Sequence, residues 1–230
     1  VAKSVEIDEV LKNHEAIMDA YDPQRRVGLL LDEWGTWFDV EPGTNPGHLY
    51  QQNTMRDAMV AAMSLNIFHR HTDRLKMANI AQIVNVLQAM ILTQGKEIVL
   101  TPTYHVFRMY NVHQDALYLP SVCDAAKFTD GNGRQCPYVD ATASRNAEGA
   151  INVTLTNVSL DEAATVTIDL AGNAKPRITG EVLTAETIQA HNDFDRPDEV
   201  KPVEFKDFKV KDGKIVVKMP AKSIVGLSIL

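Results

Sequence analysis

Apolar positions in the first hundred residues fall into two alternating rhythms. Val5, Val10, Leu11, Ile17 and Met18 recur among charges, a helical spacing that predicts an amphipathic helix over 4–20, ended by Asp22-Pro23. An unbroken run, Val27 to Leu31, then closes on two carboxylates, Asp32 and Glu33; a run so short and bounded by charge predicts a buried parallel strand over 26–32. Gly35 to Gly47 holds two prolines and reads as a loop. Thr54-Met-Arg-Asp57 has the form of a capping box, opening an Ala/Met-rich helix that runs to about Phe68. Arg74 to Gln82 reads as a second strand, and Ile83 to Leu92 as a short apolar helix closed by Gln94-Gly95.

Helix, strand, helix, strand, helix is the grammar of a parallel α/β architecture. Two strands do not make a stable parallel sheet, and a (β/α)8 barrel takes roughly 250 residues. Residues 1–95 therefore read as the last quarter of such a barrel.

The rhythm changes after residue 96. Tyr104 to Val112 fits one more short helix. Beyond Asp115 the period becomes two: Ile151, Val153, Leu155; Val166, Ile168, Leu170; Ile215, Val217, Met219; Val225, Leu227, Ile229. Turn signals separate these runs, at Asp130-Gly131-Asn132-Gly133, Glu148-Gly149, Ala171-Gly172-Asn173 and Asp212-Gly213. The expectation is an antiparallel, jelly-roll-like β-sandwich over 96–230.

Charge narrows the partners. The net charge is −7 with no Lys/Arg block, which argues against nucleic acid and suits a neutral substrate. No apolar stretch approaches the roughly 20 residues that span a bilayer. Cys123 and Cys136 lie 13 positions apart, compatible with a disulfide or with two thiols. The chain opens on Val1 in what reads as the middle of a domain, so we expect a fragment whose missing part holds any targeting signal; the compartment stays open.

Candidate chemistry gathers at the first strand end, where a barrel carries its active site. Asp32 and Glu33 are neighbours on a strand, so one faces the barrel axis and the other the helices. Glu33 shares parity with Leu29 and Leu31. It is either an inward nucleophile or a carboxylate that caps a loop. Trp34 and Trp37, the two tryptophans, divide between rim packing and a sugar-stacking platform, with Trp37 in the loop the better platform. Gln82 either binds substrate hydroxyls or satisfies buried backbone. His69, His71 and Asp73 match no strong zinc spacing and read as helix-end capping and packing at the barrel floor. There is no Gly-x-Ser-x-Gly motif and no phosphate-binding glycine loop.

Asp32-Glu-Trp-Gly-Thr-Trp37 and His71-Thr-Asp-Arg-Leu-Lys-Met-Ala-Asn-Ile-Ala-Gln-Ile-Val-Asn-Val86 resemble the C-terminal half of glycoside hydrolase family 51 α-L-arabinofuranosidases. The sandwich agrees at Leu183-Thr-Ala-Glu, at 190–202 and at Met219-Pro-Ala-Lys-Ser-Ile-Val-Gly-Leu227. The resemblance implies a retaining hydrolase of terminal α-L-arabinofuranosyl groups on arabinose-containing oligo- and polysaccharides. It implies no metal or organic cofactor and a homo-oligomeric assembly. It makes Glu33 the nucleophile on the seventh barrel strand, has Gln82 on the eighth bind arabinose hydroxyls, and sets Trp37 on the leaving-group side. Two departures stand out. The family's acid/base is a Glu preceded by Asn, and no Asn-Glu pair occurs in this chain; Gly35 stands where the family has Asn. The rival readings are a non-catalytic carbohydrate-binding or scaffolding module on the sandwich, with Phe194, Phe205 and Phe208 as its aromatics, and a different barrel glycosidase such as a xylosidase.

Overall fold

A computed structural model describes residues 1–170 and 177–230. Helix α1 (Glu6–Tyr21) leads into β1 (Leu29–Trp34), α2 (Met55–Arg70) and β2 (Leu75–Ile80), and β1 and β2 pair in parallel. β1 is three residues later than the apolar run suggested at its start and runs two residues further at its end, so it takes in both Glu33 and Trp34. The capping box is present: Thr54 Oγ1 accepts from Arg56 N, and Asp57 Oδ2 accepts from Thr54 N at 2.8 Å.

The helix expected over 83–92 is absent. This segment bends, with isolated bridges Tyr50–Leu87 and Val84–Ile91, into a hairpin of β3 (Ile91–Gln94) and β4 (Glu97–Leu100) that turns at Gly95, φ +58°. Asn85 and Leu87 take positive φ, which interrupts any helix there. The last apolar residues, Ile91 and Leu92, serve the hairpin instead. The 95/96 division falls in its turn. The next helix, α3 (Pro102–Tyr110), is N-capped by Thr101 with Pro102 in its first turn, and packs on α2.

The rest is antiparallel. In chain order come β5 (Leu117–Tyr118), β6 (Lys127–Thr129), β7 (Gln135–Pro137), β8 (Val139–Arg145), β9 (Ile151–Asn157), β10 (Ala164–Ile168), β11 (Ile178–Thr184), β12 (Val203–Glu204), β13 (Phe208–Lys211), β14 (Lys214–Met219) and β15 (Ser223–Ile229). A six-stranded sheet, β12-β11-β15-β9-β8-β5, faces a three-stranded one, β10-β14-β13. Between them lie Val153, Leu155, Val217, Met219, Val225 and Leu227, the residues that the period-two pattern singled out. Leu170 follows the end of β10. Of the turn signals, Ala171-Gly172-Asn173 lies outside the described residues, and the other three make hairpin turns.

The opposite face of the large sheet is polar by sequence and yet buried. Asn152, Thr154, Thr156, Thr142 and Ser144 lie under α2 and α3. Hydrogen bonds make that burial tolerable: His113 bridges Ser144 Oγ (2.7 Å) and Thr154 Oγ1 (2.8 Å), and His69 meets Thr142 Oγ1 at 3.0 Å. Desolvation pushes the His69 imidazole down to about 4 and that of His113 to about 3. Arg70 adds a bidentate pair to Asp140.

A segment of the sandwich reaches back further. The first amides of α2, Met55 N and Arg56 N, donate to Ala190 O (2.9 Å) and Ile188 O (3.0 Å). Asn192 Nδ2 donates to Leu100 O at the hairpin's end, and Phe194 packs with Tyr50 against Ala89, Leu92 and Val99.

Candidate functional site

The site forms where β1 and β2 end side by side. Leu29, Leu31, Trp34, Ala78 and Ile80 all pack toward the helices, while Leu30, Met77 and Asn79 present an exposed face, which in a barrel is the lumen side. Strict alternation from Leu31 would place Glu33, not Trp34, on the helix side. The register prevents this. Leu31 pairs with Ala78 and Trp34 with Ile80, so β1 spends three steps where β2 spends two. This bulge puts Asp32 and Glu33 together between two helix-facing residues, and both carboxylates are exposed. The parity argument, which set the two acids on opposite sides and grouped Glu33 with Leu29 and Leu31, is therefore corrected. The bulge is the device that aims the strand end.

Ala81 N donates to Trp34 O at 2.9 Å, continuing the ladder past β2. Glu33 and Gln82 flank that bond, one residue before and one after. Gln82 is exposed, beyond the strand rather than inside it, so it does not serve buried backbone; the Ala81–Gln82 peptide is cis.

The two tryptophans differ in exposure. Trp34 is 9% exposed, edge-on to Phe68 at 5.1 Å and stacked on Phe107 at 6.0 Å. Trp37 is 67% exposed and lines a shallow depression with Phe38, Asp39 and Val40. Arg56 lies 3.9 Å over the Phe38 ring and bonds Asp57 at 3.0 Å, fixing the residue beside Trp37.

Sequence reasoning missed the supports of this loop. Thr36 N donates to Gln88 Oε1 (2.5 Å), Thr36 Oγ1 donates to Asp57 Oδ1 (2.8 Å), and Gln51 Nε2 donates to Thr36 O (3.2 Å). Gln51, Asp57 and Gln88 are each 2% exposed. Asn53 holds Gln88 in turn through its carbonyl at 2.9 Å. A buried Gln lying far along the chain leaves no periodic signal. Asp57 did leave one, as the last residue of the capping box, but its second task, holding Thr36, is tertiary.

The remaining polar residues are structural. His71 ends α2, with Nδ1 3.0 Å from Glu15 and Nε2 2.9 Å from Asp8; Asp73 is exposed near Arg25. No cluster of three or more metal-ligating side chains forms among the described residues. Cys123 and Cys136 are free thiols. Phe205 is buried and Phe208 packs in the sandwich core, while Phe194 packs on the hairpin, so none offers a flat sugar platform. A cavity of about 780 Å³ between β9, β10 and the loop 119–126 includes none of the strand-end residues. No described helix is long and apolar enough to cross a membrane.

Comparison with known proteins places this geometry. A family described as "Alpha-L-arabinofuranosidase C-terminal domain" matches residues 32–223. An intracellular exo-α-L-arabinofuranosidase of Bacteroides ovatus is 56% identical over 229 residues, covering 100% of this chain and 45% of that protein. A family 51 arabinofuranosidase structure from Xanthomonas axonopodis pv. citri superposes with TM-score 0.94 at 45% identity, over 99% of this chain and 46% of that one. An α-L-arabinofuranosidase from Thermotoga maritima, solved with arabinose, shares the fold with TM-score 0.86 at 21% identity, over 100% of this chain and 49% of that one. The chain thus spans somewhat under half the length of the relatives it matches most extensively.

Proposed function

Since the chain belongs to the α-L-arabinofuranosidases of glycoside hydrolase family 51 and matches their C-terminal portion, we propose that it supplies the nucleophile-bearing end of the barrel, residues 1–95, and the sandwich, 96–230, of a retaining α-L-arabinofuranosidase. Its substrate is the terminal α-L-arabinofuranosyl group of an arabinose-containing glycan. The complete polypeptide assembles as a homo-oligomer. The observation that carries the reading is the bulged strand end, which sets an exposed Glu33 beside Gln82 across the Trp34–Ala81 hydrogen bond.

The ionised Glu33 carboxylate attacks the anomeric carbon as the bond to the leaving-group oxygen breaks, giving a glycosyl ester. A second carboxylic acid protonates that oxygen, then takes a proton from the water that hydrolyses the ester. Such a pair stands about 5–5.5 Å apart. With no Asn-Glu pair among these 230 residues, the second carboxyl belongs to the remainder of the barrel. Gln82 holds arabinose hydroxyls, and Trp37 stacks on the leaving-group sugar, whose apolar face suits an exposed indole.

Two measurements test this. The 230-residue chain alone turns over p-nitrophenyl α-L-arabinofuranoside little or not at all, and robust turnover by it contradicts the scheme. A fluorinated arabinosyl inactivator applied to the complete polypeptide labels Glu33, and Glu33→Gln lowers kcat by at least about a thousandfold; a label on another residue refutes the assignment. A substrate panel that favours xylosides would move the reading to a xylosidase.

A further inference from the structure

We propose that Gln88 is a positioning residue for the reaction assigned above, holding the Trp37 platform in register with the strand end that carries Glu33 and so setting affinity for the leaving-group portion of the glycan. The proposal rests on that assignment. Thr36 lies between the two functional positions, three residues after Glu33 and one before Trp37. Each of its polar groups meets a buried partner: N with Gln88, Oγ1 with Asp57, and O with Gln51. Gln51 also accepts from Phe38 N at 2.8 Å.

Gln88 acts twice. Its Oε1 takes the Thr36 amide. Its carboxamide also lies against Gly35, where an added Cβ would stand 2.6 Å from Cδ and Oε1 and 2.7 Å from Nε2. The φ of +142° at Gly35 and the amide that fills the space beside it are matched, so the chain leaves β1 along one path. Gln88 is itself fixed from behind by Asn53, which reaches Thr103 on α3 at 2.7 Å. Side chains locked in this way give a binding group its orientation. An exposed tryptophan on an untethered loop would lose ordering entropy at each binding event.

The test is a double-mutant cycle in the complete polypeptide with an arabino-oligosaccharide substrate. Gln88→Met keeps volume and removes the acceptor. It should raise KM about tenfold with kcat changed less than threefold, as should Trp37→Ala, and the double variant should be no more than about twofold worse than Trp37→Ala alone. If Gln88→Met does not fold, Gln51→Met, which frees Thr36 and Phe38 from the other side, serves in the same cycle. Fully multiplicative effects, or a fall in kcat equal to the rise in KM, overturn the positioning role while leaving the arabinofuranosidase assignment standing. Failure of the unsubstituted enzyme to cleave any arabinofuranoside overturns both.

Discussion

Acid should dismantle this fold well before its carboxylates protonate. His69, His105 and His113 lie at the contact between α2, α3 and the large sheet or on the buried side of α3, and burial holds them at about 4, 4 and 3. In the unfolded chain each titrates near 6.5. Above that pH both states of each ring are neutral and these histidines contribute no pH dependence. Below it the unfolded chain gains protons that the folded chain refuses, so stability falls as pH drops from about 6.5 toward about 4. At pH 5 the loss works out at about 1.5–2 kcal/mol per histidine, about 5 kcal/mol for the three, against a total of about 5–15 kcal/mol for an ordinary domain. Urea denaturation of the chain by circular dichroism should show a steep decline in midpoint from pH 6.5 to 5. His113→Gln, which removes one titrating ring, should shrink the slope by about a third. A midpoint unchanged between pH 7 and 5, or resonances assigned to His69, His105 and His113 that titrate near 6.5, would refute the reasoning. Asp22, held low by the Val27 amide and by Arg74, and Asp130, held low by the Arg134 amide and side chain, add their own loss in a separate window below the usual carboxylate range.

Other outcomes follow from single contacts. Tyr110→Phe strands Asn66 Oδ1 (2.7 Å) and Ala62 O (3.1 Å) in the core and should cost about 1–3 kcal/mol in urea titrations. Met59→Ala, at a fully buried position of α2, should cost about 2–5 kcal/mol. Gly35→Ala drives a Cβ into the Gln88 amide at a φ few side chains adopt, and should lower the thermal midpoint and raise KM together. Thr101→Ala removes the cap of α3 and the bonds to Ala89 O and Met90 O and should cost about 1–2 kcal/mol by thermal denaturation.

The sandwich strands were legible because Val153, Leu155, Val217 and Val225 obey one period and because hairpin turns demand Gly and Asp. α2 was legible from Thr54 and Asp57. The stretch 83–92 misled because a short, mostly apolar run broken only by Asn85 and Gln88 does not distinguish a helix from other backbone, and what decided was pairing across Gly95 and the left-handed turns at Asn85 and Leu87. The strand end at Glu33 was legible, but its geometry was not: alternation set Asp32 and Glu33 on opposite sides, and a one-residue irregularity in register, which no pattern encodes, leaves both exposed. The exposure of Trp37 was legible from its place in the loop after β1. Gln88, Gln51 and Asp57 were not, because their importance lies in which backbone groups they meet across 15 to 52 residues of chain. The burial of the polar faces of β8 and β9 leaves no mark in the sequence for a related reason, since a hydroxyl facing water and one facing a neutral imidazole are spelled alike.

The carbonyls of Ile188 and Ala190 that receive the opening amides of α2, with Asn192 gripping the hairpin, bear on how such proteins can be recombined. A crossover placed at the barrel–sandwich junction would separate donors from acceptors that were selected together, and chimeras cut there should express poorly even between close relatives. Breakpoints upstream of β1 would keep both the stitched region and the supports of Thr36 intact, and the strands to Ile229 must travel with them, because β15 lies between β9 and β11 and β14 pairs with β10.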